Sequence, residues 1–459
     1  MELPIELVGR ICHHLGNRDL ARVNLVSKLW NSVAAHHLTG TLAVYINGSP
    51  DARIDGYLAH VNGSMRLAHL PPHGNMIKRL DLCLELMMLP SHIDATVLGK
   101  FYQLLKGLPA VRQLRLSLRY GSHWHYDEYH QICMHVLKCL PRVAHLALQT
   151  FTNRRVSGVP DNESLGTHYA QLFNACRLTW LDLGQSRVFE GSCGLSAVLD
   201  MQLPRLRTIS LSHAMLTRSP VFRTRVLHGV KGFIFTAFGK DDEGAQALPP
   251  ATLPPAQMLP DVERMELDLC AYQSAYAADF SMLLIMLSEC PNLRDLQFHA
   301  FPDKFSWTIA PNVEFPALEH FDMSSRTVVP SGLRALASCK WSALVSLRLK
   351  LILYDAAILI QFLEAAPRLR SLHLHFNQGR TRMDSLMQRF TQKAWRNLWT
   401  VCFTFNYFSP DLLASMDHMR TCMPNACIHV RSSDGQAKMC IGVNRSQATI
   451  CSCCQVRGS

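Results

Sequence analysis

The chain has 459 residues, 48% of them apolar and 18% charged, and a formal net charge of +11. That much apolar material can bury one large core or two ordinary ones, which excludes a solvated disordered tail as the whole molecule. No apolar run approaches the ~18 to 20 residues of a membrane-spanning helix, and the first residues lack the basic-then-apolar order of a secretory leader, so the expectation is a cytoplasmic and/or nuclear protein with no membrane partner.

The first predicted element is a helix that Pro4 opens, since proline fixes φ and needs no backbone donor in a first turn. Leu7, Ile11 and Leu15 recur on one face, and Gly16 can end the helix in a left-handed turn. Asn17 or Asp19 can cap a second helix with Leu20 and Val23 as its apolar stripe, and Ser27 can cap a third bearing Trp30 and Val33. Three short helices in some forty residues bury too little to be robust alone, so the module is expected to lean on a partner or on the next domain. Spacing alone leaves an ordinary helical cap as an equal alternative.

Leu3-Pro4-Ile5-Glu6-Leu7, the pair Asp19-Leu20 and Val26-Ser27-Lys28-Leu29-Trp30 resemble an F-box, the motif by which many proteins dock on the Skp adaptor of a Skp/cullin/F-box ubiquitin ligase. The resemblance covers about residues 1–40. Val8 and Cys12 stand where leucine is frequent, and His13-His14 make the first helix wetter than usual. By resemblance, Leu3, Pro4, Leu7, Ile11, Leu15, Leu20, Val26 and Trp30 belong to the adaptor interface or to the module's own core. The sequence does not separate those two roles.

Residues 41–75 form a connector in which Leu42, Val44 and Ile46 alternate as a strand able to cap an open sheet edge. From there a pattern of apolar, two residues, apolar, one residue, apolar recurs twelve times. It runs from Ile77-Leu80-Leu82 through Val111-Leu114-Leu116 and Val262-Met265-Leu267 to Leu398-Val401-Phe403. The mean step between Leu80 and Val401 is about 29 residues, with single steps of 24 to 35. Proline lies five residues before the middle apolar position in seven copies, at Pro109, Pro141, Pro204, Pro260, Pro291, Pro316 and Pro367. A background of about 5% proline predicts fewer than one. Such a proline ends a helix and sets an extended entry to the following strand.

Helical stretches fall between these strands, at Phe101 to Leu108, Tyr129 to Leu140, Asp279 to Cys290, Ala356 to Ala366 and Asp384 to Trp395. Strand, turn and helix repeated at this period stack into a solenoid with parallel strands inside and helices outside. The pattern is similar to leucine-rich repeats, though the asparagine or cysteine usual just past the strand appears only as Cys270, Asn377 and Asn406. The expected fold class is therefore α/β: a three-helix F-box, then an irregular leucine-rich-repeat-like solenoid over 76–430. A conventional α/β domain with a parallel sheet is the alternative.

The stretch 236–260 interrupts the repeat with Asp241-Asp242-Glu243, Pro249-Pro250 and Pro254-Pro255, and reads as a loop insertion on the rim. Residues 431–459 read as a cysteine-containing tail. Its Cys440, Cys451, Cys453 and Cys454 do not reproduce the paired knuckles of structural zinc sites. His123, His125, His130, Cys133 and His135 form a second cluster whose interleaved residues favour partly exposed histidines over a metal site. Most of the sixteen cysteines sit among apolar neighbours and read as reduced, buried thiols. No phosphate-cradling glycine loop, serine elbow or metalloprotease helix is present, so neither enzyme activity nor a cofactor is expected.

Strand alternation turns a second set of side chains away from the core, onto the expected concave wall. Glu266, Asp268, Asp295, His320 and Asp322 give way to Arg348, Lys350, His373 and His375, so acid in the centre passes to base near the end. Such a distribution is modest evidence for a complementary protein surface, against an ordinary solvated sheet face. The scattered cations make nucleic acid an unlikely partner. Joined to the F-box, the repeats resemble the class of ligase subunits that dock through Skp to a cullin and hold an unidentified target protein for ubiquitination. A scaffold that binds Skp without delivering anything shares every one of these features.

Overall fold

The protein is described by a computed structural model, which covers residues 5–14, 41–47, 54–58, 64–65, 77–86, 95–120, 126–152, 169, 171–173, 176–186, 203–212, 226–236, 259–268, 278–299, 305–306, 313–328, 330–351, 356–376, 395–405, 421–432 and 438–441. The chain divides into two compact units, the first Met1–Phe222 with Arg457–Ser459, the second Arg223–Val456.

The first unit begins with α1 (Ile5–His14). Strand β1 (Thr41–Asn47) pairs in parallel with β4 (Arg79–Leu86), so the alternating run of the connector is the first strand of the sheet. On its other side β1 pairs antiparallel with β2 (Ile54–Leu58), which in turn holds β3 (Ser64–Met65). An antiparallel ribbon thus occupies the outer edge of a parallel sheet. The sheet continues through β5 (Gln113–Tyr120), β6 (His145–Thr152), β7 (Trp180–Asp182) and β8 (Thr208–Ser212), all parallel. Helices α2 (Ala95–Lys106) and α3 (Tyr126–Cys139) join consecutive strands and pack side by side, with the Tyr102 and His135 rings 5.2 Å apart. Cys133 of α3 is fully buried while His135 is exposed, so this pair of the histidine and cysteine cluster points apart. His123 and His125 lie outside the described residues.

The second unit repeats the scheme. Strands β9 (Gly232–Thr236), β10 (Arg264–Asp268), β12 (Asp295–His299), β14 (His320–Val328), β15 (Ser346–Leu351), β16 (Ser371–Phe376), β17 (Thr400–Phe405) and β18 (Cys427–Ser432) are parallel neighbours in that order. The short strands β11 (Ala278–Asp279) and β13 (Phe305–Ser306) make a separate pair. Helices α4 (Phe280–Ser288), α5 (Pro330–Ala337) and α6 (Ala356–Glu364) supply the second layer, with α5 starting on the proline that suits a first helical position. Antiparallel β19 (Lys438–Ile441) covers the last edge. The region read as a tail therefore contributes the end of β18 and all of β19. Within 236–260 only Thr236, Leu259 and Pro260 are described, and Cys451, Cys453 and Cys454 lie outside the described residues.

The core is the repeat itself. All thirty-six apolar positions of the twelve copies are buried, none more than 5% exposed. The phased prolines enter by a more specific route than helix termination. The N–H of Val111 bonds the Leu108 carbonyl across Pro109, and Val143 bonds Leu140 across Pro141. Leu206, Val262, Leu293 and Leu369 do the same across Pro204, Pro260, Pro291 and Pro367. Each of these six prolines occupies the first corner of a β-turn, position i+1, where its fixed φ is preset. Adjacent turns of the second unit are also stitched sideways. Asn292, Asn397 and Asn425 donate from Nδ2 to the carbonyls of Pro260, Pro367 and Arg396 at 2.8, 2.9 and 3.0 Å. Gly229, in the left-handed region at φ 76°, donates its N–H to Asp261 Oδ2 at 2.8 Å.

Among the described residues of the second unit, the largest fully buried side chain is Trp341. Its ring stacks on Phe315 at 4.8 Å and Phe321 at 5.3 Å and meets Phe362 at 5.3 Å in a tilted contact. Its Nε1 donates to the Leu336 carbonyl at 2.9 Å, so the one polar atom of the ring is satisfied.

Candidate functional site

Two surfaces carry the residues singled out from the sequence. The first is α1. Leu7 and Ile11 sit four residues apart on one stripe and are 45% and 40% exposed, whereas Val8 and Cys12, one residue further round, are buried. Helix α1 thus uses its valine and cysteine stripe for its own packing and displays the leucine and isoleucine stripe. That division was not readable from spacing. Leu3, Pro4, Leu15, Leu20, Val26 and Trp30 lie outside the described residues.

The second surface is the sheet face of the second unit that points away from its buried layer. Register places Glu266, Gln297, Asp322, Arg348, His373, Cys402 and His429 in one row across consecutive strands. Asp295, His320 and Ser346 form a second row, and Lys350, His375, Thr404 and Arg431 a third, while Asp268 pairs with His299 at the β10 end. All nine predicted residues therefore share one face, and β18 adds His429 and Arg431 to its basic end. These two escaped the sequence reading because β18 follows a turn one residue shorter, with Ala426 only two positions before Ile428.

Much of the acid on this face is engaged within it. Asp322 Oδ2 lies 3.6 Å from Arg348 Nη1, and its Oδ1 accepts the Ser324 N–H at 2.9 Å and hydroxyl at 2.6 Å. Those two bonds sit at a bulge, where the β14 register shifts between Met323 and Thr327. Glu266 Oε1 faces His299 Nε2 at 3.6 Å, and Asp295 faces Arg264 at 3.7 Å. The His299 ring holds the Glu266 carboxyl below the usual carboxylate range, and Glu266 in turn raises the imidazole of His299 above its ordinary value. At the other end, burial first and then the charges of Arg348 and Arg431 push His373 down to about 4, so its ring is neutral near pH 7. Burial, helped by Arg431, lowers His429 too, and its Nε2 lies 3.1 Å from Cys427 Sγ. Arg348 stands beside His373 in the first row, and Lys350 and Arg431 lie in the third row at the same end.

Residues 1–39 match the F-box-like family model. No curated protein matches the chain. A solved structure of the mouse RP105/MD-1 complex aligns with 77% of this chain and 47% of that chain, at 14% identity and a TM-score of 0.28. This chain spans about half the length of that one. F-box-like modules are non-catalytic adaptors, and here one precedes stacked leucine-rich-repeat-like α/β units, so the general role is protein interaction. Among the described residues, no group of three or more His, Cys, Asp or Glu is placed to hold a metal ion, and no helix is long and apolar enough to cross a membrane.

Proposed function

We propose that the chain is the substrate-recognition subunit of a Skp/cullin/F-box ubiquitin ligase, docking to a Skp-family adaptor through residues 1–40 and holding a target protein on the repeat domain. The observation that carries this reading is the exposed Leu7 and Ile11 stripe inside the residues that match the F-box-like model. An apolar pair left in water on a short helix, while its neighbours Val8 and Cys12 are buried, is what a docking helix offers its partner. The target surface in this reading is the outward face of the second unit, with Glu266, Asp268, Asp295, His320 and Asp322 at one end and Arg348, Lys350, His373 and His375 at the other. The subunit performs no chemistry; it raises the effective concentration of the target beside the ubiquitin-loaded enzyme. A cytoplasmic or nuclear location accompanies the reading.

The test is target turnover. In cells expressing the chain with Leu7→Asp and Ile11→Asp, a bound protein is expected to accumulate with the adaptor-dead chain, and its half-life to lengthen. If every captured protein keeps the same half-life with and without the adaptor stripe, the receptor reading fails and a Skp-bound scaffold takes its place.

A further inference from the structure

The basic end of the outward face of the second unit carries a cysteine and histidine cluster that adaptor docking does not use. Register lines up His373, Cys402 and His429 on neighbouring strands, and Cys427 stands two residues before His429 on β18, on the same face. Within the cluster, Cys427 Sγ lies 3.1 Å from His429 Nε2. The N–H of Cys427 bonds the Trp399 carbonyl at 2.7 Å, which fixes the cysteine at the entry to its strand.

The two partners differ in access. His429 is 2% exposed, whereas Cys427 keeps part of its surface in water, so a small solute meets the cysteine and not the ring behind it. Cys402, the neighbouring thiol of the row, is buried. Burial and the charge of Arg431 keep the His429 ring neutral near pH 7, and a neutral imidazole has one bare nitrogen and one that carries a proton. Either form of Nε2 activates the thiol. A bare Nε2 accepts the S–H and can take its proton, and a protonated Nε2 donates to sulfur and steadies the thiolate.

Six other described thiols are driven the opposite way. Burial pushes Cys133 and Cys339 up to about 12 and Cys176 and Cys290 up to about 11. It also raises Cys139 and Cys422, although both keep the same class of partial exposure as Cys427. A thiol raised in this manner holds almost no thiolate at neutral pH and reacts slowly. Exposure alone therefore does not make a thiol of this fold reactive, and the imidazole contact is what sets Cys427 apart from Cys139 and Cys422.

We infer that Cys427 is a modification site, a thiol that reacts with small electrophiles such as hydrogen peroxide, with His429 as its base. In that reaction sulfur attacks one peroxide oxygen, an S–O bond forms and the O–O bond breaks. The S–H proton passes by way of His429 Nε2 to the departing hydroxide, which leaves as water. Sulfur is oxidised to sulfenic acid and the peroxide is reduced. This chemistry belongs to the pair itself and stands apart from adaptor docking and target capture.

The full chain is treated with iodoacetamide at about neutral pH for graded times, quenched, digested and mapped by mass spectrometry. Cys427 is expected to alkylate about tenfold or more faster than Cys139 and Cys422, the partly exposed thiols that burial raises. His429→Gln should slow Cys427 about tenfold and leave the other two rates as they were. With hydrogen peroxide and dimedone, the sulfenic acid adduct should form on Cys427 before either of them. The wild-type rates carry the test by themselves, so a variant that fails to fold does not shelter the inference. A Cys427 no faster than Cys139 and Cys422, a rate untouched by His429→Gln, or no dimedone adduct on Cys427 would each overturn it.

Discussion

Replacing His373 by glutamine should make the second unit resist acid. In the folded protein, burial and the charges of Arg348 and Arg431, with a smaller contribution from His429, hold the imidazole down to about 4, against the stabilising pull of Asp322. The unfolded chain restores an ordinary value near 6.5. The folded pKa is therefore depressed, the unfolded state binds more protons between pH 4 and 6.5, and stability is lost as pH falls through that window. At pH 5 the unfolded ring is almost wholly charged and the folded ring about one-tenth charged, a difference of about 2 kcal/mol relative to pH 8. His373→Gln removes that titration. The assay is urea denaturation of wild type and variant at pH 8 and pH 5, followed by circular dichroism. Comparing the pH-dependent loss between the two proteins cancels groups that titrate in both, His299 and His429 among them. The variant is expected to lose about 2 kcal/mol less than wild type on acidification. Equal losses would mean that His373 accepts a proton in the fold as readily as in water, and the described burial of the basic end would be wrong.

Two further outcomes follow from the packing of the second unit. Trp341→Ala should cost about 3–5 kcal/mol by emptying the space between Phe315, Phe321 and Phe362, while Trp341→Phe, which keeps a ring but removes one of the two donors to the Leu336 carbonyl and leaves it the Cys339 N–H, should cost about 1–2 kcal/mol; denaturant midpoints that do not separate the two variants would contradict the contact set. For the half-exposed pair Glu266 and His299, the raised histidine contributes below its folded pKa and the lowered glutamate contributes above its own, so the pair helps most near pH 5 to 6.5 and at most by about 0.5 kcal/mol after solvent screening. Glu266→Gln should thus lower the melting temperature at pH 6 more than at pH 8.5, and an equal shift at both would refute the pairing.

The repeat was legible because its signal is written in side chains that must be buried. An apolar triplet such as Leu347, Leu349 and the preceding Leu344 leaves its period in the sequence whatever the length of the intervening loop, and each of the three is buried. The proline phase was visible too, but its function as a turn corner depends on a hydrogen bond between residues three apart that spacing alone does not show. Strand β18 was missed because its turn is one residue short and ends on Ala426, too small to register as a core position. Lateral pairs such as Arg294 with Glu319 were invisible for another reason: they join residues one repeat apart, and the repeat length varies from 24 to 35. The orientation of α1 lay beyond the pattern as well. Leu7 and Val8 are both apolar neighbours on a short helix, and only the packing decides which is displayed.

The most direct test of the central claim is the affinity of purified Skp adaptor for the full chain and for its Leu7→Ala, Ile11→Ala form. Two side chains with about two-fifths of their surface in water can contribute about 1–2.5 kcal/mol when covered, so the double variant should bind about tenfold more weakly, with the thermal melt preserved. Unchanged affinity in the double variant, or no adaptor binding by the wild-type chain, would contradict the account.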